Sequence, residues 1–180
     1  MTEEIVIAGF GGQGVLSMGQ ILSYSAMMEE KEVSWMPSYG PEMRGGTANC
    51  IVIVSDEKIS SPIITQFDTV IALNQPSVDK FEYAVKPGGT LIYESTNVIT
   101  PPTREDINIY GIPAASEAAK MENTKVMNMI VLGAFIHKRE ILKKENVIAG
   151  LKKALPERYH HLIPLNESAM QKGEELINQA

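Results

Sequence analysis

Six residues early in the chain have the spacing of a glycine-rich ligand-binding turn. Gly9-Phe10-Gly11-Gly12-Gln13-Gly14 follows the pattern G-x-G-x-x-G, between the apolar run 5–8 and a helical pattern that begins at Val15. Glycines in this context allow a tight turn, after which the first N–H groups of the helix face a phosphate or another anion. The residues predicted here to contact a cofactor are Gly9, Gly11, Gly12, Gln13 and Gly14.

The nucleotide chemistry usually associated with this turn is only partly supported. A dinucleotide site needs an acidic residue about 20 positions further on, which binds the ribose hydroxyl groups. The corresponding stretch, 33–37, has no carboxylate, and Glu32 lies at the wrong end of the predicted strand. No G-K-[ST] follows the turn, which excludes a P-loop. Two interpretations stay open: the glycines bind an anion within a larger assembly, or they only let the helix pack closely on the sheet.

A second candidate site is the loop predicted for residues 37–46. Two prolines and three glycines interrupt both the helical and the strand periodicity of apolar residues there and fix the shape of the loop. Arg44 offers a fork of donors suited to a phosphate or carboxylate, although a surface pair with Glu42 that holds the loop closed is the alternative. The candidate ligand contacts in the loop are Ser38, Tyr39, Glu42, Arg44, Gly45 and Gly46.

The elements that must position these residues alternate between strand and helix. The predicted strands are 5–8, 32–36, 47–55, 67–73, 90–93 and 107–112. The predicted helices are 15–29, 77–86, 114–121, 125–138, 145–154 and 166–178. This alternation predicts one α/β domain over residues 1–180, with a mostly parallel sheet, helices on both faces and a helical C-terminal tail. Both candidate sites then lie at the carboxyl edge of the sheet, where open α/β sheets bind ligands.

Composition excludes several classes of function. With 16 basic and 22 acidic residues, a net charge of −6 and no basic stripe, nucleic acid is not the expected partner. The single cysteine, Cys50, cannot hold an iron–sulfur cluster or a zinc site, so no metal ligands are predicted. The acidic start, 1–4, lacks the pattern of a signal peptide, and no apolar run reaches the length of a membrane span. We expect a cytoplasmic protein, without membrane contact and without catalytic residues of its own.

Two stretches together make the chain resemble a known family. Residues 9–16, Gly-Phe-Gly-Gly-Gln-Gly-Val-Leu, and residues 37–48, Pro-Ser-Tyr-Gly-Pro-Glu-Met-Arg-Gly-Gly-Thr-Ala, resemble the gamma subunit of the 2-oxoacid:ferredoxin oxidoreductases. Segments 67–76 and 123–133 add support, and the likeness covers about residues 4 to 135. The resemblance implies a Rossmann-like domain that is not active alone.

The resemblance also implies a division of labour among subunits. Enzymes of this family oxidatively decarboxylate a 2-oxoacid on thiamine diphosphate, pass electrons through iron–sulfur clusters to ferredoxin, and release an acyl-coenzyme A. Thiamine diphosphate, Mg and the clusters are expected in alpha and beta partners, with a ferredoxin-like delta subunit as a further candidate. The gamma chain is expected to bind no cofactor alone and to help position coenzyme A in the hetero-oligomer.

Two alternatives to this interpretation stay open at the level of sequence. One is a beta-type subunit of indolepyruvate:ferredoxin oxidoreductase, which shares the glycine turn. The other is a free-standing nucleotide-binding oxidoreductase, which the missing acidic residue disfavours. The sequence does not identify the 2-oxoacid; general likeness leans towards 2-oxoglutarate.

Overall fold

A computed structural model describes residues 1–38 and 47–180 of the chain. The strands within those residues are β1 (Thr2–Phe10), β2 (Glu32–Ser38), β3 (Thr47–Ser55), β4 (Phe67–Ala72), β5 (Val85–Glu94) and β6 (Asn108–Ile112). The α-helices are α1 (Val15–Met28), α2 (Gln75–Phe81), α3 (Ala114–Lys120), α4 (Met127–Arg139), α5 (Lys144–Ala154) and α6 (Ile163–Ile177). Three short 3₁₀ segments are Glu82–Ala84, Thr124–Val126 and Glu157–Leu162.

The strands form one sheet in the order β2-β3-β1-β4-β5-β6. The pairs β1–β4, β4–β5 and β5–β6 are parallel, whereas β3 runs antiparallel to both of its neighbours, β1 and β2. The predicted mostly parallel sheet is therefore confirmed, with β3 as the inverted strand. The inversion has a simple cause: a parallel crossover needs about a dozen residues or more, and the connection 39–46 between β2 and β3 is shorter.

Helices cover the two faces of the sheet unequally. Ile5 and Ile7 of β1 point into a large core beneath α1, α3, α4, α5 and α6, while Val6 points into a smaller core beneath α2. Because β1 is buried on both faces, its apolar run is continuous rather than alternating. Helices on both faces and the helical C-terminal tail are confirmed.

Two element boundaries differ from the prediction. The helix predicted for 77–86 ends at Phe81, and Pro87–Gly89 lie inside β5, where Gly88 has a φ of +77°. The predicted loop starts later than expected, because β2 continues through Ser38 and Pro37 pairs with Cys50. Proline is tolerated at this position because β2 is an edge strand and pairs on one side only.

An ion pair between buried Glu3 and half-exposed Arg139 joins three elements at the amino edge of the sheet. Glu3 of β1 is 3% exposed and accepts two hydrogen bonds from Arg139 of α4, at 2.9 and 2.7 Å, and one from Thr69 of β4 at 2.6 Å. These contacts fix the end of α4 on the edge opposite to the glycine turn. Over residues 1–38 and 47–180, the structure has no helix with the length and apolar character of a membrane span.

Candidate ligand-binding site

Strand direction brings the two candidate sites to the same edge of the sheet. Phe10, at the end of β1, is paired with Thr47 at the start of β3. Asn49 of β3 is paired with Ala8 on one side and with Ser38, the last residue of β2, on the other. The glycine turn, the end of β2 and the start of β3 therefore lie side by side.

This edge contains the point at which the topology changes direction. The chain leaves β1 into α1 on one face of the sheet and leaves the neighbouring strand β4 into α2 on the opposite face. The two strands are parallel and directly paired. Open α/β sheets bind ligands in the crevice that such a divergence leaves at the carboxyl ends of the strands.

Two of the predicted glycines are needed for packing. A Cβ on Gly9 would lie 2.7 Å from Gln13 Oε1 and 3.0 Å from the side chains of Leu73 and Val15. Gly14 has a φ of +79°, and a Cβ there would collide with the side-chain amide of Asn128. Gly9 is buried beneath the turn and does not line the cleft described below. For these two positions, the interpretation that glycine serves close packing is supported by the contacts.

Gln13 closes the turn onto the neighbouring strand. Its Oε1 accepts a hydrogen bond from the N–H of Phe10 at 2.6 Å, and its Nε2 donates to the carbonyl of Leu73 at 3.3 Å. The side chain thus connects the turn after β1 to the end of β4. A ligand contact from Gln13 stays a prediction.

The remaining glycines face an open cleft of about 290 Å³. Gly12 has a φ of +89°, and among residues 1–38 and 47–180 no atom apart from its own chain neighbours lies within 4 Å of the position that its Cβ would take. The lining consists of Phe10, Gly11, Gly12, Gly14, Val15, Leu16, Ser17 and Ala48. Backbone and small or apolar side chains therefore surround a space large enough for a polar group of a ligand.

The electrostatic character of the cleft comes from the start of α1. The first helical hydrogen bond runs from the N–H of Met18 to the carbonyl of Gly14, which leaves the N–H groups of residues 15–17 without an intrahelical acceptor. No side chain of residues 1–38 or 47–180 caps this end, and no acidic residue lies in the first turn of the helix. Free N–H groups and the positive end of the helix dipole favour an anion at this position.

No group in the described lining of the cleft is suited to acid–base or nucleophilic chemistry. The single thiol of the chain, Cys50, is buried beneath α1. Burial raises the pKa of this thiol to about 12, although a hydrogen bond from Trp35 lowers the pKa in part. The Sγ of Cys50 donates a hydrogen bond to the carbonyl of Val15 at 3.5 Å. Among residues 1–38 and 47–180 there is also no cluster of three side chains that could hold a metal ion. The described lining therefore offers backbone N–H groups to a ligand rather than acidic, basic or thiol side chains.

The second set of predicted contacts is only partly visible. Ser38 lies at the exposed end of β2, paired with Asn49 of β3, which separates it from the end of β1. Tyr39, Glu42, Arg44, Gly45 and Gly46 lie outside the described residues. Their roles stay predictions.

Sequence reasoning missed two residues of this site. Ser17 lines the cleft from the first turn of α1, and the helical pattern that begins at Val15 is the signal that could have placed it there. Asn128 packs against Gly14 from α4, where a polar residue in an otherwise apolar stretch was the available signal. Its contact partner is 114 positions away in the sequence, which local patterns do not reveal.

The fold and site define an α/β domain with an anion-suited glycine turn at its topological switch point. The family described as "Pyruvate ferredoxin/flavodoxin oxidoreductase" matches residues 4–176. The ketoisovalerate oxidoreductase subunit VorA of Methanothermobacter thermautotrophicus is 42% identical over 133 residues, which are 74% of this chain. The match spans only 28% of that relative's own length.

Two solved structures share the fold. The gamma subunit of a keto/oxoacid ferredoxin oxidoreductase from Geobacter sulfurreducens superposes with a TM-score of 0.83 and 29% identity, over 99% of both chains. A 2-oxoglutarate:ferredoxin oxidoreductase from Magnetococcus marinus, with 2-oxoglutarate, coenzyme A and succinyl-CoA bound, gives 0.89 and 25% identity. That match covers 99% of this chain and 31% of the other.

The chain belongs to the pyruvate ferredoxin/flavodoxin oxidoreductase family and is a gamma-type chain within it. The resemblance inferred from the glycine turn and the following loop is thereby confirmed. The comparisons give no support to the indolepyruvate or free-standing nucleotide alternatives.

Proposed function

We propose that this chain works as the non-autonomous gamma subunit of a 2-oxoacid:ferredoxin oxidoreductase and positions coenzyme A in the assembled enzyme. The observation that carries the proposal is the glycine turn at the switch point, where the first N–H groups of α1 open into a cleft lined by backbone and by small or apolar side chains of the described residues. Alpha and beta subunits are the proposed partners, with a ferredoxin-like delta subunit as a further candidate. The complex is proposed to work in the cytoplasm.

The content of the chain supports this division of labour. Its single cysteine cannot supply the several thiolates that an iron–sulfur cluster needs. The match to this chain covers 28% of the ketoisovalerate relative and 31% of the 2-oxoglutarate enzyme chain. Most of each longer chain therefore consists of segments that this chain does not contain. In the proposed complex, thiamine diphosphate, Mg and the clusters are held by the partner subunits.

The proposed role of the cleft follows from its polarity. The diphosphate of coenzyme A is an anion of the kind that free N–H groups at a helix start bind well. Gly11 and Gly12 allow the backbone to approach it, and Arg44 is proposed as a second contact. Holding coenzyme A in place brings its thiol to the acyl group on the partner subunit and makes the transfer effectively unimolecular.

The first test is a tagged purification of the chain from its native cells under anaerobic conditions. The expected result is co-purification of larger chains with iron–sulfur absorbance and coenzyme A-dependent dye reduction by a 2-oxoacid. A colourless chain that purifies alone would contradict the proposal. Assays with pyruvate, 2-oxoglutarate and 2-oxoisovalerate then identify the substrate, for which we favour 2-oxoglutarate.

A pair of glycine variants tests the ligand site itself. Gly12→Asp in the assembled enzyme places a carboxylate at the proposed anion site, and we expect the KM for coenzyme A to rise at least about tenfold by charge repulsion. Gly88→Asp is the matched control, because Gly88 also has a positive φ of +77° and open space around its Cβ position, but lies in β5. Equal KM values for coenzyme A in the two variants would contradict the assignment of the site to the glycine turn.

Arg44 is tested in the same assay. Arg44→Ala is expected to raise the KM for coenzyme A, whereas Arg158→Ala, which removes an exposed guanidinium on the aromatic ring of Tyr159, is expected to leave it unchanged. An unchanged KM and turnover in Arg44→Ala would remove this residue from the proposed site.

A further inference from the structure

A cavity of about 220 Å³ lies between the C-terminal half of α4, the segment that leads into α5, and α6. The ion pair of Arg139 with Glu3 holds the end of α4 at the amino edge of the sheet, opposite to the glycine turn. The cavity shares no described lining residue with the cleft at that turn. Its lining residues are Gly133, Ile136, His137, Glu140, Leu142, Lys144, Met170 and Glu174.

The floor of the cavity is apolar. Ile136, Leu142 and Met170 are each at most 6% exposed. Gly133 adds backbone surface where α4 and α6 touch. Small-molecule sites are typically of this kind, with apolar walls and a few polar groups that fix orientation. The floor therefore suits an aliphatic group.

The titratable side chains at the rim of the cavity are engaged unequally. Glu174 accepts a hydrogen bond from Lys144 at 2.7 Å and lies 3.4 Å from Nδ1 of His137. The other ring nitrogen of His137 lies 3.1 Å from Oδ1 of Asn178. Lys144 is half exposed, and its ammonium group has three N–H donors, of which the pair with Glu174 uses one. Lys144 can therefore bind a second anionic group.

Glu140 is the rim residue that lacks a counter-charge among residues 1–38 and 47–180. It is exposed and forms no ion pair with those residues. The basic residues just before it, 137–139, contact Glu174, the ring of Tyr110 and Glu3 respectively. Glu140 also follows the last residue of α4, at the negative end of the helix dipole. Both features favour a cation at this side of the cavity.

We infer that this cavity binds a free amino acid with an aliphatic side chain. The ammonium group of the ligand meets Glu140, its carboxylate meets Lys144, and its side chain lies on the apolar floor. Glu140 and Lys144 line the same cavity but do not pair with each other, so a ligand with both charges can lie between them. A plain carboxylate or amine satisfies only one of the two residues. The inference goes beyond the proposed function and does not depend on it.

The first test measures dissociation constants by calorimetry on the purified full-length chain. L-Leucine is compared with isocaproate, which lacks the amine, with isoamylamine, which lacks the carboxylate, and with 2-oxoisocaproate, in which a carbonyl replaces the amine. We expect L-leucine to bind at least about tenfold more tightly than each of the three, because each loses one charge-assisted contact.

Two variants then assign the contacts. Glu140→Gln should weaken the binding of L-leucine at least about tenfold and leave isocaproate within about twofold, because isocaproate has no cation to lose. Lys144→Gln should weaken L-leucine and isocaproate, whereas isoamylamine should bind no more weakly than to the wild type. Glu122→Gln is the matched control: Glu122 is exposed, lies just after α3 with a φ of +58°, as Glu140 lies after α4 with +49°, and does not line the cavity.

The position of the ligand is tested by the methyl resonances of the methionines. L-Leucine should shift the resonance of Met170 and leave that of Met36, which lies in the edge strand β2. No binding of L-leucine at millimolar concentration, or equal binding of L-leucine and isocaproate by the wild type, would overturn the inference. So would equal losses in Glu140→Gln and Glu122→Gln, or shifts confined to methionines outside the cavity.

Discussion

The four glycines of the turn have separate physical roles. Gly9 and Gly14 have neighbours that leave no room for a Cβ, whereas the Cβ position of Gly12 meets none of the described residues; Gly12 and Gly14 both have a left-handed backbone. The same motif therefore combines packing constraints with access for a ligand. A sequence pattern cannot separate the two, because G-x-G-x-x-G records only which positions lack a side chain.

Cys50 gives a prediction about pH at the scale of one residue. Burial raises the pKa of its thiol from 9.0 to about 12, so the folded state keeps the proton at pH values where the unfolded chain has lost it. Its contribution to stability is then complete below about pH 9 and declines as the pH rises towards 12. The folded protein becomes less stable over that window because the unfolded state binds fewer protons.

The measurement is the free energy of unfolding in urea for the wild type and Cys50→Ala at several pH values from 7 upwards. Titration of other groups affects both proteins alike, so the difference between them isolates the thiol. We expect the wild type to lose stability relative to Cys50→Ala above pH 9. A difference that stays constant across the alkaline range would contradict the burial argument.

At the scale of elements, α4 and α6 pack with almost no separation at two glycines. A Cβ on Gly173 of α6 would collide with the carbonyl of Ile130, and a Cβ on Gly133 of α4 would collide with the backbone of Met170. Both obstacles are backbone atoms, which cannot move aside as a flexible side chain does. The two helices depend on glycine at these crossing points.

Gly173→Ala is accordingly expected to be strongly destabilising, although alanine is the better helix former. The intrinsic preference favours alanine by about 1 kcal/mol, while forced separation of the helices costs about 3 kcal/mol or more. Urea unfolding of the variant measures the net effect, and insoluble expression would agree with it. Gly150→Ala at the contact of α5 with α1 is the comparison and should cost less, since its Cβ would lie 2.8 Å from the nearest backbone atom, the carbonyl oxygen of Ile21, whereas a Cβ on Gly173 would overlap the carbonyl of Ile130 outright. A stabilised Gly173→Ala protein would refute the close-packing account.

Local patterns predicted most elements and the parallel part of the sheet, but not the inverted direction of β3. The continuous apolar run at 5–8 and the helical periods of 125–138 and 166–178 are local properties, and they correspond to β1, α4 and α6. The direction of β3 depends instead on the length of its connection and on pairing with β1, about 50 residues away. The contact between Asn128 and Gly14 likewise depends on how α4 crosses the sheet. Such information is absent from any single stretch of sequence.

At the scale of the whole molecule, the strand order predicts which backbone amides exchange with solvent most slowly. β1 is paired along its length with β3 on one side and over Ile5–Ala8 with β4 on the other, and these four residues are buried. β2 has one partner and half-exposed residues. Amide exchange is slowest where opening requires global unfolding.

We therefore expect the amides of residues 5–8 to exchange most slowly and those of β2 to exchange faster by at least about tenfold. Hydrogen–deuterium exchange with mass spectrometry on the purified chain makes the comparison within one sample. Equal protection of β1 and β2 would show that the sheet opens as a single unit.

The central position of β1 also has a consequence in time. It is synthesised before the other strands of its sheet, yet Thr2 pairs with Ser55 and Ala8 pairs with Ala72. At about 5–20 residues per second, roughly 3–13 s pass between synthesis of the strand and synthesis of its last partner. During that interval the apolar segment Ile5-Val6-Ile7-Ala8 cannot form its pairing with β4. Nascent-chain chaperones are most needed in this window, before β4 is complete.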